Sequence, residues 1–93
     1  MRSEVVYNLW DGVQVRREKF GLLFYDYRGP RLHFLPSRDL LAPEFFQGRR
    51  TAAELVEAIR SRKGLPQETA SRLVTDILGM LREKGLIYEQ SIC

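Results

Sequence analysis

Residue types that commonly perform catalysis are sparse in this sequence. His33 is the only histidine, and no carboxylate lies beside it in the adjacent sequence. Because a catalytic histidine needs a second group that orients its ring, we interpret His33 as a strand side chain at the edge of the core or in solvent. Cys93 is the only cysteine, and a metal site would require further thiolates or imidazoles. The sequence therefore predicts a protein that is not an enzyme and that has no metal site and no cofactor.

Two clusters of side chains could instead contact another molecule. The charged run at residues 16–19 is typical of a solvated turn, and this is the interpretation that we favour. Phe45 and Phe46 are adjacent, and adjacent side chains on a helical turn point in directions about 100° apart. One of the two rings could therefore be exposed and contact another protein. Burial of both rings is the favoured alternative. Five further aromatic residues are expected to belong mostly to the core: Phe20, Phe24, Tyr25, Tyr27 and Phe34.

Length and composition indicate a single globular domain spanning residues 1–93. The chain is 44% hydrophobic and 29% charged, with a net charge of +3. The positive excess lies in residues 1–50, which hold nine Lys and Arg against six Asp and Glu; residues 51–93 hold six of each. No apolar run approaches the roughly 18–20 residues of a membrane span, and no signal-peptide pattern is present. We therefore expect a cytoplasmic protein that has no membrane partner.

The first half of the chain predicts three strands. Residues 13–17 alternate apolar and polar side chains, which is typical of a strand with one solvated face. Residues 20–25 are almost continuously apolar, as expected for a central strand. A third strand covers residues 31–35 and is closed by Pro36. Short connections favour an antiparallel meander, and residues 1–12 are interpreted as a lead-in.

The second half of the chain predicts three helices. Ser37 is a plausible N-cap for a short helical turn through Leu41. Thr51 and Glu54 have the spacing of a capping box, and they begin a helix that ends near Gly64. A longer helix opens at residue 66 and runs to about residue 84, and residues 86–88 return as a short extended segment. The predicted fold class is α+β, a winged helix-turn-helix-like arrangement of a three-stranded antiparallel sheet followed by three helices.

A winged-helix outline raises the alternative of a DNA-binding regulator. The recognition helix would then be the one that opens at residue 66, led by its N-terminal residues. On that surface Arg72 faces the carboxylates of Glu68 and Asp76. Because affinity for DNA depends largely on cations that contact phosphates, this helix argues against a nucleic-acid partner.

Three runs of the sequence resemble a known family. They are residues 13–25, residues 31–37 and residues 81–87, and the most specific part is Arg17-Glu-Lys-Phe-Gly-Leu-Leu-Phe-Tyr25. They resemble the peptide chaperones of mycofactocin biosynthesis, and more broadly the PqqD-like precursor-peptide recognition elements, over roughly residues 7–89. Residues 43–46 depart from the regular, leucine-rich helix expected there. The resemblance implies a non-catalytic domain that binds the leader of a ribosomally synthesised precursor peptide and presents it to a radical S-adenosylmethionine maturase.

The resemblance also implies where the leader binds. It would form an added strand beside residues 31–35, in a groove against the last long helix. An edge strand offers unpaired N–H and C=O groups, and side-chain pockets must then select the partner. In this reading the long helix contributes an apolar pocket, close backbone approach at Gly79, and cations for leader carboxylates. The expected peptide-binding residues are Arg31, Leu32, His33, Phe34, Leu35, Arg72, Leu73, Asp76, Ile77, Gly79 and Met80.

Three functional classes stay open on the sequence: a peptide chaperone, a DNA-binding winged helix, and a structural subunit with no peptide site. The leader's direction and the surface that docks the maturase are also open. Because an exposed strand edge permits strand exchange between copies, the expected state is a monomer or a weak dimer.

Overall fold

The computed structural model describes residues 4–91, which form two three-stranded antiparallel sheets and two α-helices. Cys93 lies outside the described residues. The strands are β1 (Val5–Leu9), β2 (Val13–Glu18), β3 (Gly21–Asp26), β4 (Arg31–Leu35), β5 (Gln47–Thr51) and β6 (Ile87–Ser91). The helices are α1 (Ala52–Lys63) and α2 (Gln67–Glu83), and a 3-10 helix spans Pro43–Phe46. The α+β class is confirmed.

The predicted meander is present as one of the two sheets. Its order is β2-β3-β4, so β3 is central and β4 is an edge, as the sequence predicts. A two-residue turn joins β2 to β3, and Gly21 follows it. A β-carbon added at Gly21 would lie 1.9 Å from the Leu35 carbonyl oxygen, so glycine is required where β3 meets the end of β4.

The prediction of a single three-stranded sheet is wrong, because a second sheet has the order β5-β1-β6. Its central strand β1 lies in the segment interpreted as a lead-in, and its partners are distant in sequence: Val6 pairs with Thr51 and with Gln90. Strand β5 is polar, Gln-Gly-Arg-Arg-Thr, and has no alternating apolar pattern. Pairing between distant segments leaves no local signal, so the sequence pattern did not indicate this sheet.

The prediction of three helices is also wrong, since only two α-helices occur within residues 4–91. The segment after Ser37 makes a single turn, in which the Leu40 N–H donates to the Ser37 carbonyl oxygen at 3.0 Å. Arg38 adopts a left-handed φ of 51°, which cannot continue a right-handed helix. The Ser37 hydroxyl does not act as a cap, and it has no hydrogen-bond partner among the described residues.

The two helices predicted after residue 50 are confirmed. Thr51 Oγ1 accepts from the Glu54 N–H at 3.1 Å, and Glu54 Oε1 accepts from the Thr51 N–H at 2.8 Å. This reciprocal pair is the predicted capping box. Gly64 ends α1 in the left-handed conformation, and α2 follows Pro66. Within residues 4–91, neither helix combines the length and the apolar character that a membrane crossing requires.

The core joins both sheets to the helices. Phe45 and Phe46 are 4% and 3% exposed, which confirms the favoured expectation that both rings are buried. The Phe46 ring packs edge-on against Phe24 of β3, with the ring centroids 5.5 Å apart. Helix α2 adds four residues that recur every three or four positions: Ala70, Val74, Leu78 and Leu81.

Candidate functional site

Strand β4 presents one unpaired edge, because within residues 4–91 it pairs only with β3. The Tyr27 N–H donates to the carbonyl oxygen of the residue preceding β2 at 2.7 Å, so Tyr27 bonds toward β2. Backbone groups alternate in direction along an antiparallel strand, so Phe24 bonds toward β4, where its partner is His33. By the same alternation, the N–H and C=O groups of Leu32 and Phe34 point to the open edge.

The side chains of β4 divide between the two faces of the sheet. Leu32 and Phe34 lie on the outer face, away from the helices, and are 62% and 45% exposed. Their partners on β3 are Tyr25 and Leu23. His33 lies on the inner face and is half-buried, as expected for a strand side chain at the edge of the core. The backbone groups at the edge therefore belong to residues whose side chains form an apolar outer surface.

A groove of about 430 Å³ lies between the inner side of β4 and the C-terminal end of α2. It begins at the open edge and runs over the turn that follows the helix. Three of the residues expected from the sequence contribute to it, namely Arg31, Leu32 and His33. The remaining lining residues are Asp26, Glu83, Lys84 and Leu86.

An ion pair between the buried carboxylate of Asp26 and the partly exposed guanidinium of Arg28 lies at one end of the groove. The Asp26 carboxylate is 3% exposed and accepts bonds from Arg28 Nε at 2.9 Å and Arg28 Nη2 at 3.1 Å. The same Nη2 donates to the Gly85 carbonyl oxygen at 2.6 Å, which links the β3–β4 turn to the end of α2. The Arg28 hydrogen bonds lower the pKa of Asp26 to about 2. Arg28 therefore joins the end of β3 to the turn that follows α2, beside the groove.

Two cationic side chains, Arg31 and Lys84, lie along the inner side of β4. Arg31 Nη2 lies 3.6 Å from the Asp26 carboxylate, which Arg28 already holds with two shorter bonds. Burial, followed by the charge of Lys84, lowers the pKa of His33. The imidazole is therefore uncharged near neutral pH, and the nearby cations are Arg31 and Lys84.

The residues of α2 that the sequence predicted to bind the peptide do not line the groove beside β4. Leu73, Ile77 and Met80 are half-buried and pack against the core, which limits their reach into the groove. Arg72, Leu73 and Asp76 line a separate depression of about 350 Å³ near the start of α2, together with Glu68 and Thr69. Gly79 has open space at its β-carbon position. Leu35 is buried beneath the sheet.

The outer face of the β2-β3-β4 sheet exposes more aromatic surface than the sequence indicated. The expectation that Phe20, Tyr27 and Phe34 belong to the core is wrong, because they are 59%, 55% and 45% exposed. Only Phe24 of that group is fully buried, and Tyr25 is half-buried. Alternation in Arg31-Leu-His-Phe-Leu35 is the signal that would have placed Leu32 and Phe34 on a face opposite to His33.

Other kinds of site receive no support from the geometry. Within residues 4–91, no three His, Cys, Asp or Glu side chains are grouped so that they could hold a metal ion. On the N-terminal part of α2, Arg72 shares its surface with Glu68 and Asp76, a mixed charge that opposes binding to DNA phosphates.

Comparison with known families identifies one match. The family model described as the peptide chaperone MftB family matches residues 6–88 of the chain, which include every strand-edge and groove residue described above. Neither the curated proteins nor the solved structures give a match.

Proposed function

The chain belongs to the MftB peptide chaperone family, and from this premise we propose that it binds the leader of a mycofactocin precursor peptide as a strand added to the edge of β4. Membership makes the chain a peptide chaperone of mycofactocin biosynthesis. The observation that carries the proposal is the open edge of β4, where the backbone groups of Leu32 and Phe34 point away from β3 and the groove beside α2 lies under the inner side of the strand.

The backbone of β4 accounts for affinity but not for selectivity. Leu32 and Phe34 each offer one N–H donor and one C=O acceptor to an added strand. Each such hydrogen bond contributes about 0.5–1.5 kcal/mol net, before the entropy of ordering the peptide is subtracted. Any extended peptide could form these bonds. Side chains on the two faces of β4 must therefore decide which peptide stays bound.

The bound leader would position the rest of the precursor for a radical S-adenosylmethionine maturase. The chaperone's residues hold and orient the peptide, and the maturase supplies the radical chemistry. Holding the leader at one edge leaves the remainder of the peptide outside the groove. This division of roles follows from the family and is part of the proposal.

Titration of the ¹⁵N-labelled chain with the mycofactocin precursor peptide from the same genome tests the proposal. We expect saturable amide shifts concentrated in β4 and in the turn after α2. Shifts confined to the start of α2, around Arg72, would instead place the peptide in the other depression. Titration with duplex DNA at low salt is the control for the winged-helix alternative, and it is expected to leave the spectrum unchanged.

A further inference from the structure

The two faces of the β4 edge differ in chemistry. The outer face is apolar, because Leu32 and Phe34 adjoin Tyr25 and Leu23 of β3. Leu32 and Phe34 are large and substantially exposed although they lie in a regular strand. Residues directly opposite each other in paired strands lie on the same face, with their β-carbons about 4.5–5.5 Å apart. An added strand would therefore lay two of its side chains against this apolar surface.

The inner face is polar and carries an excess of positive charge. Its groove contains the cations Arg31 and Lys84 and the carboxylates of Asp26 and Glu83. Asp26 is already neutralised by Arg28. No carboxylate within the described part of the chain forms an ion pair with Lys84. Arg28 and Arg31 both pair with Asp26, so three cations accompany the two carboxylates around the groove, and Lys84 is the cation that no ion pair balances.

From this asymmetry we propose that the peptide segment bound at β4 has the pattern apolar–acidic–apolar. This inference rests on the proposed strand addition. The two apolar residues lie opposite Leu32 and Phe34 on the outer face, and the acidic residue between them lies opposite His33 and projects into the groove toward Lys84.

Pairing geometry fixes the spacing of this pattern. Leu32 and Phe34 are two residues apart, so their partners are two residues apart in either strand direction. The peptide residue between those partners points to the inner face, where it lies beside His33 in the groove. Burial of an apolar peptide side chain against Leu32 or Phe34 removes apolar surface of both molecules from water. A lysine at the central position of the peptide would instead face Lys84.

Substitutions in the chaperone test the apolar half of the pattern. Leu32→Thr and Phe34→Thr keep strand propensity and remove apolar surface, and each is expected to weaken binding of the mycofactocin precursor peptide about tenfold. Phe20→Thr is the matched control, because Phe20 is 59% exposed, against 62% for Leu32 and 45% for Phe34, but lies in the β2–β3 turn. It is expected to leave the affinity within about twofold of the wild-type value.

Charge exchange tests the acidic position. Threonine replacement along the precursor identifies its two apolar contact positions without altering the fold of the chaperone. Lysine at the residue between them should weaken binding to the wild-type chain, and Lys84→Glu should restore it. Lys19→Glu makes the same charge change in the β2–β3 turn and is expected to restore nothing.

The outcomes separate this inference from the proposed function. Wild-type binding with amide shifts in β4, but affinities unchanged by Leu32→Thr and Phe34→Thr, would overturn the pattern and leave strand addition intact. The pattern would also be overturned if lysine at the central position of the peptide left the affinity for the wild-type chain unchanged. Absence of amide shifts in β4 with the bound precursor would overturn strand addition itself.

Discussion

At the scale of single residues, Asp26 has the best-defined role in shaping the site. Its carboxylate is buried at the end of β3 and accepts three hydrogen bonds from Arg28, two from the guanidinium and one from the backbone N–H. The guanidinium also donates to the Gly85 carbonyl oxygen beyond α2. In sequence, residues 26–30 read Asp-Tyr-Arg-Gly-Pro, and these residue types are typical of a turn between two strands. The distance between Arg28 and Gly85 along the chain explains why their contact could not be inferred from spacing.

Asp26 makes stability depend on acid pH in a defined direction. Its pKa is lowered to about 2, below the roughly 3.9 of an unfolded aspartate, so its ion pair stabilises the fold above that unfolded value. The contribution is lost as the pH falls through about 2. We expect Asp26→Asn to lower the melting temperature at pH 7, and the difference from the wild type to shrink steadily between about pH 4 and pH 2.

Thermal unfolding of both proteins across this range measures the effect. The pKa of Asp39, Glu54 and Glu57 is also lowered by their partners, so the difference between wild type and variant isolates Asp26. A difference that does not change with pH would show that the Arg28 pair does not stabilise the fold.

At the scale of elements, β4 joins the sheet through alternate residues. His33 uses its backbone groups toward β3, whereas Leu32 directs its own to the open edge. Proline lacks the N–H donor and is tolerated in a strand where that donor would face solvent. Adjacent proline substitutions therefore have different expected effects.

His33→Pro should destabilise the fold, by about 1–3 kcal/mol for the unpaired carbonyl group alone. Leu32→Pro should leave the melting temperature close to that of the wild type and weaken binding of the precursor peptide. Urea unfolding and calorimetric titration of both variants measure the two effects. The opposite assignment, with a stable His33→Pro and an unfolded Leu32→Pro, would show that the direction of the backbone groups is reversed.

Elements with local signals were predictable from the sequence, and those built by distant pairing were not. The β2–β3–β4 meander follows from alternation and turn residues, and α1 follows from Thr51, Glu54 and Gly64. Strand β1 has an apolar start, but its partners lie some 40 and 80 residues away. The same limit applies to the site. The edge at residues 31–35 could be predicted, whereas the turn after α2 that completes the groove could not.

At the scale of the whole molecule, Phe45 and Phe46 connect the two sheets. Phe45 stacks on Tyr7 of β1, with the ring centroids 6.1 Å apart, while Phe46 contacts Phe24 of β3 at 5.5 Å. The 3-10 helix that carries them stands where the family resemblance led us to expect a regular helix. Adjacent side chains on this tight turn point in different directions, so one short segment contributes to both layers.

The same arrangement leaves β4 with one edge open and with two accessible faces. Its apolar outer face and its cationic groove adjoin one row of backbone groups, so an added peptide would contact all three. Binding and orienting a peptide needs no catalytic group, which agrees with the family's role as a peptide chaperone. We propose that the precursor is held at this edge.

Amide hydrogen exchange of the full chain, with and without saturating precursor peptide, tests whether the peptide binds at this edge. We predict that exchange at Leu32 and Phe34 slows on binding, because their N–H groups gain partners, whereas exchange at His33, already bonded to β3, changes little. Unchanged exchange at Leu32 and Phe34 in a saturated complex would contradict it.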